Sequence, residues 1–233
     1  MAAIRQLDYS PDAAARNIKK NVTRHVTVVL PTVGDPCFAM AYAGIERVLS
    51  AAGCLIGLYT TSEVPDKERA ILDLLRSQRD DGIIIATCRP GSQELAEQIA
   101  RSGAKIIFLE RLPSQCNSSF VGYQNRDSVR DLVGMLVSEG CRSIAIFAGP
   151  EGYSSESDCV DGYLDALETA GLAAEPSFVN RTEFDKENSF GAAMRLMQSS
   201  NLPDAIIATS SPMLEGVIEA MLLLRPGFLQ LKP

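Results

Sequence analysis

The sequence contains no tryptophan, a single histidine and no long apolar run. A helix that crosses a bilayer needs roughly 20 consecutive apolar residues, and no segment of the chain comes near that length. The first residues, MAAIRQLDYSPDAAARNIKK, also lack the apolar centre of a secretory signal peptide. We therefore expect a cytoplasmic protein with no membrane partner.

The common catalytic motifs are missing as well. The sequence has no P-loop, no GxGxxG after a predicted strand, no HExxH and no GxSxG elbow. His25 begins the first predicted strand and has no nucleophile nearby in the sequence, so a structural role suits it better than that of a general base. We predict no catalytic residue, no cofactor and no enzymatic activity. A small α/β enzyme with a nucleotide cofactor is an alternative, but it would need the missing glycine-rich loop.

Cysteine is present, but it is not arranged for metal binding or for disulfides. No two cysteines form a CxxC pair, and only one histidine could share a metal with them. We expect reduced, mostly buried thiols and no metal site. The six cysteines are Cys37, Cys54, Cys88, Cys116, Cys141 and Cys159.

Charge is distributed unevenly along the chain. The formal net charge is -7, but residues 1–24 hold five cationic side chains against two aspartates and so carry +3. The remaining residues therefore carry -10. An acidic body repels nucleic acid, so only the N-terminal segment suits a phosphate backbone. An ordinary solvated basic helix would explain the same segment.

Short apolar runs alternate with longer stretches of helical period. Nearly continuous runs such as IIIA are typical of parallel strands that helices cover on both faces. This alternation predicts a doubly wound α/β fold, and Gly103, Gly140 and Gly171 are placed to end helices. The predicted strands span residues 25–30, 55–59, 82–86, 105–109, 119–121, 143–147, 177–179 and 205–208.

The polar segment 111–118 interrupts the alternation of strands and helices, because a loop takes the place of a helix between two predicted strands. We therefore place a boundary near Gly122, between one β/α subdomain at residues 25–122 and a second at 123–233. The second subdomain is expected to be incomplete, since the chain stops soon after a predicted helix at 212–224. Ile4 and Leu7 likewise look like the last turn of a longer helix, so both ends are expected to be cut.

The residues that follow the predicted strands indicate a ligand site. In an open parallel sheet, ligands bind beyond the carboxyl ends of the strands. Here those positions are rich in hydroxyls, charges and occasional aromatic rings. Such a set suits a polyhydroxylated or phosphorylated ligand, because short polar groups hold hydroxyls and a ring stacks on a sugar face. Each residue alone is also compatible with ordinary loop polarity.

Several segments, in their order along the chain, resemble LacI/GalR-type transcriptional regulators. YSPDAAARNIKK followed by RHVTVVLPTVGDPCFAMAYAGIE resembles the hinge helix and the first β/α unit of that family. The matches that follow are DLLRSQRDDGIIIA, VGYQNRDSVRDLVGMLVSEGCRSIAIFAGP, CVDGYLDALETAGL and PDAIIATSSPMLEGVIEAM. Together they cover nearly the whole chain.

The resemblance implies a periplasmic-binding-protein-like core of two doubly wound parallel subdomains. It further implies a transcriptional repressor whose core senses a sugar or sugar phosphate, and residues 1–24 then correspond to the end of the DNA-binding headpiece and the hinge helix. Family members insert a leucine of that helix into the DNA minor groove; the matching residue here is Ile18, flanked by Ala15, Asn17 and Lys19. Because the base-reading helices are missing, we expect operator DNA to be bound only when a headpiece is present.

The resemblance also implies ligand contacts, with some departures from the family pattern. Cys159 replaces an arginine, and Ser210 and Ser211 replace an Asn-Asp pair. A guanidinium and a carboxylate that would grip hydroxyls bidentately are therefore absent, which puts the usual mode of free-sugar binding in doubt. The positions that match are Asp35, Phe38, Glu110, Asn125 and Phe184, the last being an aromatic that stacks on sugar.

The stretches YTTSEVPDKERAILDLL and ATSSPMLEGV resemble the branch that contains the fructose repressor and the catabolite repressor/activator, whose effectors are sugar phosphates. In that case Arg89 and Arg111, which follow predicted strands, are candidates to bind the phosphate. Arginines in such places are also common surface residues. Two alternatives stay open: a solute-binding protein of the same architecture, which would need a signal peptide, and a sensor core without DNA-binding activity.

Two apolar helix faces are candidates for a homodimer contact. In the family, helices at these positions pair across a two-fold axis. The commoner reason for such a stripe is the buried side of an amphipathic helix. One face comprises Phe38, Ala41, Tyr42, Ile45 and Leu49, and the other Met213, Leu214, Val217, Ile218 and Met221.

Overall fold

Two parallel β-sheets, both accompanied by helices, form the framework of the protein. The computed structural model describes residues 23–78, 80–113 and 118–224. The predicted minor-groove residues Ala15, Asn17, Ile18 and Lys19 lie outside these ranges.

The first sheet has five parallel strands in the order β2-β1-β3-β4-β5. Its strands are β1 (His25–Leu30), β2 (Leu55–Thr60), β3 (Gly82–Ile85), β4 (Lys105–Leu109) and β5 (Ser119–Val121). The helices between them are α1 (Pro36–Ala51), α2 (Pro65–Gln78) and α3 (Gln93–Ser102). In this order β1 and β3 are neighbours, and the chain runs to one side of the sheet after β1 and to the other side after β3. The loops after these two strands therefore diverge and leave a crevice between them.

The second sheet has three parallel strands in the order β7-β6-β8. They are β6 (Ile144–Ala148), β7 (Val179–Arg181) and β8 (Ala205–Ala208). The helices of this half are α4 (Asn125–Ser138), α5 (Ser154–Thr169), α6 (Lys186–Met197) and α7 (Ser211–Leu224), with a short 3-10 helix at Pro176–Phe178 before β7.

The predicted doubly wound parallel fold is confirmed. Gly103, Gly140 and Gly171 adopt φ angles of 69°, 96° and 65°, as expected of helix-ending glycines. The predicted strand at 177–179 is displaced, since the strand in the structure is Val179–Arg181. Pro176 starts a 3-10 turn instead, because its fixed φ suits the first position of a helical turn and its nitrogen cannot donate to a ladder.

Strand β6 shows how a central strand builds two cores. All five of its residues are buried. Ile144, Ile146 and Ala148 pack with residues of α4 and α5, whereas Ala145 and Phe147 pack with residues of α6 and α7. The side chains alternate because successive residues of a strand point to opposite faces, and this explains the continuous apolar run in the sequence.

The two apolar stripes predicted for a homodimer contact are only partly buried. On α1, Phe38 is buried and Ile45 packs against the same core cluster. On α7, Met213 and Val217 are essentially inaccessible. The apolar side chains that α1 exposes are others, namely Met40 at 75% and Val48 at 63%. Burial on the sheet therefore explains the inward members of each stripe. Leu214 and Ile218 of the α7 stripe, by contrast, are 45% and 41% exposed.

Candidate ligand-binding cleft

A cleft of about 530 Å³ lies where the carboxyl ends of the strands from both sheets face each other. Residues that follow seven of the eight described strands line it, and β3 is the exception. Clefts of this size and placement are the usual small-molecule sites of α/β proteins.

Nine of the ten residues predicted from the sequence line this cleft. Two of them are oriented by helix ends: Asp35 caps α1 by accepting a hydrogen bond from the Cys37 amide at 2.8 Å, and Asn125 begins α4. Asn125 Nδ2 in turn donates to Glu110 Oε1 at 3.1 Å. The nine residues are Asp35, Phe38, Glu110, Arg111, Asn125, Cys159, Phe184, Ser210 and Ser211.

The tenth, Arg89, lies elsewhere. Its side chain is buried between α2 and α3, where Nε donates to Glu68 Oε1 at 3.1 Å and Nη2 donates to Gln98 Oε1 at 2.6 Å. Glu68 also accepts hydrogen bonds from the Thr87 hydroxyl and from the Cys88 amide. Arg89 therefore fixes the segment after β3 and is not available to a ligand, so it has no part in the candidate site.

Arg111 does line the cleft, but its charge is already matched. Its Nη2 and Nη1 donate to the two carboxylate oxygens of Glu63 at 2.7 and 2.9 Å, and Nη1 also reaches the carbonyl of Thr87 at 3.2 Å. Burial alone would lower the pKa of Arg111, but the hydrogen bonds and charge of Glu63 outweigh it and raise the pKa. The guanidinium is thus a fixed cation with a bidentate partner.

Aromatic rings from the second half enclose the same guanidinium. The Arg111 Cζ atom lies 4.5 Å from the ring centroid of Phe184 and 4.7 Å from that of Tyr153. The two rings meet edge to face, with centroids 5.1 Å apart. Phe184 needs Gly149 beneath it, because a Cβ there would lie 2.4 Å from the Phe184 ring. Arg111 and Gly149 thus hold the Phe184 ring in place, and the same ring lines the cleft.

The two halves are also joined by polar contacts next to these rings. The Tyr153 hydroxyl donates to the carbonyl of Cys88 at 3.2 Å, and the Leu112 amide donates to Ser154 Oγ at 3.1 Å. Both contacts connect a residue of the first half to the start of α5. These two hydrogen bonds hold the two halves together at the end of the cleft where Arg111 lies.

Two carboxylates of the cleft, Glu156 and Glu63, were not predicted from the sequence. Glu156 lies in the first turn of α5 and is buried; its Oε2 accepts hydrogen bonds from the Gly149 amide at 2.7 Å and from Thr209 Oγ1 at 2.6 Å. The available signal was an acidic residue in the first turn of a helix that follows a buried strand. Glu63 lies in the loop after β2, three residues beyond its last residue.

Burial in the cleft raises the pKa of two of its titratable groups, Glu110 and Cys159. Burial raises the pKa of Glu110, and the nearby negative charge of Glu156 adds to this, despite the hydrogen bond from Asn125. Burial, followed by the charge of Glu156, raises the pKa of Cys159 to about 12, so this thiol is protonated at neutral pH. The cleft therefore presents carboxyl groups and hydroxyls rather than a reactive thiolate.

Within the parts of the chain that the structure covers, no group of three His, Cys, Asp or Glu side chains is placed to hold a metal ion. None of the described helices is both long enough and apolar enough to span a bilayer.

Sequence relatives of this chain include two repressors. The HTH-type transcriptional repressor CytR of Escherichia coli strain K12 is 26% identical over 217 residues, which are 93% of this chain and 63% of CytR. The HTH-type transcriptional repressor PurR of Haemophilus influenzae strain PittEE is 26% identical over 222 residues, 95% of this chain and 66% of PurR. The chain thus spans just under two thirds of the length of each relative.

Solved structures of similar shape include two transcription regulators. The Cra transcriptional dual regulator of Pseudomonas putida, solved with fructose 1-phosphate, superposes with a TM-score of 0.77 at 27% identity and covers 87% of this chain and 74% of that protein. The transcription regulator CcpA of Lactococcus lactis gives a TM-score of 0.79 at 18% identity, with 86% and 73% covered, and so supports the fold alone.

A family profile described as periplasmic binding proteins and sugar binding domain of the LacI family matches residues 23–227. That range includes every strand of both sheets and every residue of the cleft. The chain therefore belongs to the family of periplasmic binding proteins and LacI-type sugar-binding domains.

Proposed function

We propose that this chain is the effector-binding core of a LacI-type transcriptional regulator and that it binds a sugar or sugar phosphate in the cleft without catalysing a reaction. The observation that carries the proposal is the cleft itself, which residues after the strands of both sheets line in a chain of this family. The relation to a Cra protein solved with fructose 1-phosphate supports this class of effector.

The placement of the lining residues suits a sensor. Asp35 and Glu110 belong to the first half, whereas Asn125, Phe184 and Ser211 belong to the second. A ligand that contacts both groups stabilises the arrangement in which the two halves approach each other. Such a ligand binds the closed arrangement of the two halves more tightly than the open one. It therefore shifts the population towards the closed arrangement, and this shift can signal binding to other parts of the regulator.

Operator binding and homodimerisation belong to this proposal as properties of the whole regulator. Residues 25–233 carry a formal charge of -10, so the described body is not suited to a DNA backbone. The relatives CytR and PurR are repressors, which supports repression rather than activation. A regulator of this kind would act in the cytoplasm, where its operator is accessible.

Isothermal titration calorimetry with pentoses, hexoses and their phosphates at millimolar concentration tests the proposal. We expect saturable binding of at least one compound, with one molecule bound per chain. Phe184→Ala should weaken that binding about tenfold, because a stacked ring is lost. The matched control is Phe120→Ala on β5, which is 42% exposed and outside the cleft, and which should bind normally. Absence of heat with every compound would disprove the sensing role.

A further inference from the structure

The ionisable side chains that line the cleft are mostly acidic. Four carboxylates line it, from Asp35, Glu63, Glu110 and Glu156, and one guanidinium, from Arg111. The bidentate pair between Arg111 and Glu63 cancels one charge of each sign. Three carboxylates are then left without a cationic partner in the lining. Because the cleft is partly screened from water, their field acts more strongly there than it would on the surface.

The other basic side chains near the cleft face elsewhere. Arg89 is engaged by Glu68 of α2 and Gln98 of α3 and is not part of the lining. Arg181 donates to the Gly149 carbonyl at 3.0 Å and is not part of the lining. One turn after Glu156 on α5, Cys159 contributes a neutral thiol. An anionic ligand group would therefore meet no free cation among the described residues of this cleft.

The hydrogen bonds within the lining leave acceptors unused. Glu156 Oε2 accepts two hydrogen bonds, from Gly149 and Thr209, whereas no donor among the described residues reaches Oε1. Asp35 uses Oδ1 to cap α1, and its Oδ2 has no donor within the same ranges. The Oγ atom of Ser210 is buried and has no hydrogen-bond partner in the described part of the chain. Buried polar atoms without partners are costly, so a bound ligand is the natural partner for them.

A bare metal ion does not fit these acceptors. The carboxylates come from loops after different strands, and no three ligating side chains in the described ranges are close enough to hold a metal. An ammonium group has different needs, since it donates three hydrogen bonds and can be shared between separated carboxylates and hydroxyls. A cation on a small polar molecule therefore matches the lining better than a free ion.

We infer that the effector of this cleft is a polyhydroxylated molecule that carries a protonated amine, such as an amino sugar, and that Glu156 and Glu110 bind the ammonium group. The inference rests on the proposed function, because it names the charge of the ligand that the sensor core would bind. Burial, and to a smaller degree the charge of Glu156, raise the pKa of Glu110, against the hydrogen bonds of Asn125 and Tyr123 and the charge of Arg111, which lower it. A ligand cation would relieve this repulsion.

Calorimetry with matched sugars tests the inference. The probes are glucose, glucosamine and glucose 6-phosphate, and the corresponding galactose and mannose series, all at pH 7 and low salt. Within each series that binds, we expect the amino sugar to bind at least tenfold more tightly than the neutral sugar and the phosphate to bind most weakly. A neutral sugar that binds as tightly as its amino form, or a phosphate that binds best, would overturn the inference and leave the sensing role intact. If none of these probes and none of the sugars and sugar phosphates tested for the proposed function bound, both the inference and the sensing role would be disproved.

Two variants assign the effect to the cleft. Glu156→Gln keeps the oxygen that accepts from the Gly149 amide but removes the charge, so the preference for the amino sugar should fall about tenfold. Cys159→Arg places a cation one turn away and should abolish or reverse the preference. Glu97→Gln on α3 is the control, because its partner is the exposed Arg101 and it lies outside the cleft. Circular dichroism checks folding, and an unchanged preference in both folded cleft variants would contradict the inference.

Discussion

At the residue scale, Arg111 shows that burial and partners decide what a charged side chain does. It is 4% exposed, holds Glu63 bidentately and contacts the rings of both Tyr153 and Phe184. A planar guanidinium can make all of these contacts at once, whereas an ammonium cannot. The residue therefore joins the two halves at one end of the cleft and is less suited to gripping a ligand.

Arg111→Lys should lower the free energy of unfolding by about 2 kcal/mol, because one hydrogen bond to Glu63 and the stacking on two rings are lost. Urea denaturation followed by circular dichroism measures this change. The matched control is Arg101→Lys, whose exposed pair with Glu97 should change stability by less than about 0.5 kcal/mol. Equal effects of the two substitutions would refute the structural role of Arg111.

At the element scale, each half uses an aspartate to tie together two strands at their amino ends. Asp81, just before β3, accepts the amides of Thr23 and Arg24 at 2.9 and 2.7 Å, ahead of β1. Asp204, just before β8, accepts the amides of Arg142 and Ser143 at 2.7 and 2.9 Å, ahead of β6. The same device thus sets the register of the central strand with its neighbour in both sheets.

These bonds predict a pH dependence of stability. The amide of Arg142, followed by that of Ser143, holds the pKa of Asp204 below its usual value, so the unfolded chain binds a proton more readily than the folded chain. The stabilisation is complete above the unfolded pKa of about 4 and is lost as the pH falls through the lower folded pKa. Asp204→Asn should therefore lose less thermal stability than the wild type when the pH falls from 6 to 3. Thermal unfolding scans across this pH range measure the difference. Asp131→Asn on the surface of α4 is the control and should retain the wild-type profile.

At the scale of the whole molecule, α1 and β5 expose apolar side chains beside one another. An apolar groove of about 470 Å³ lies between them, and Met40, Val48 and Val121 are 75%, 63% and 58% exposed. Large exposed apolar side chains in one patch are typical of interaction surfaces. For the homodimer proposed above, this groove is the candidate contact, and four residues of the stripe predicted on α1 line it: Phe38, Ala41, Ile45 and Leu49.

Val48→Glu should therefore shift the chain from dimer towards monomer, since it places an unpaired charge in the contact. Sedimentation equilibrium over a range of protein concentrations measures the change in association constant. Leu74→Glu, at an exposed apolar position of α2 outside the groove, serves as the control and should leave the dimer intact. If the Val48 variant associated as strongly as the wild type, the contact would have to lie elsewhere.

The sequence by itself determined most of the secondary structure and the edge at which the site lies. Seven of the eight predicted strands agree within one residue at either end, because short β-branched runs and helix-ending glycines are local signals. Nine of the ten predicted site residues line the cleft, because the carboxyl ends of parallel strands converge wherever the helices pack.

Only the tertiary structure decided which charges the cleft presents. Arg89 and Arg111 both follow strands in the sequence, but Arg89 is held by Glu68, 21 residues before it, and Arg111 by Glu63, 48 residues before it. Glu156 became part of the site through Thr209, 53 residues further along the chain. The electrostatics of a cleft depend on distances between groups far apart in the chain, and those distances exist only once both sheets have packed.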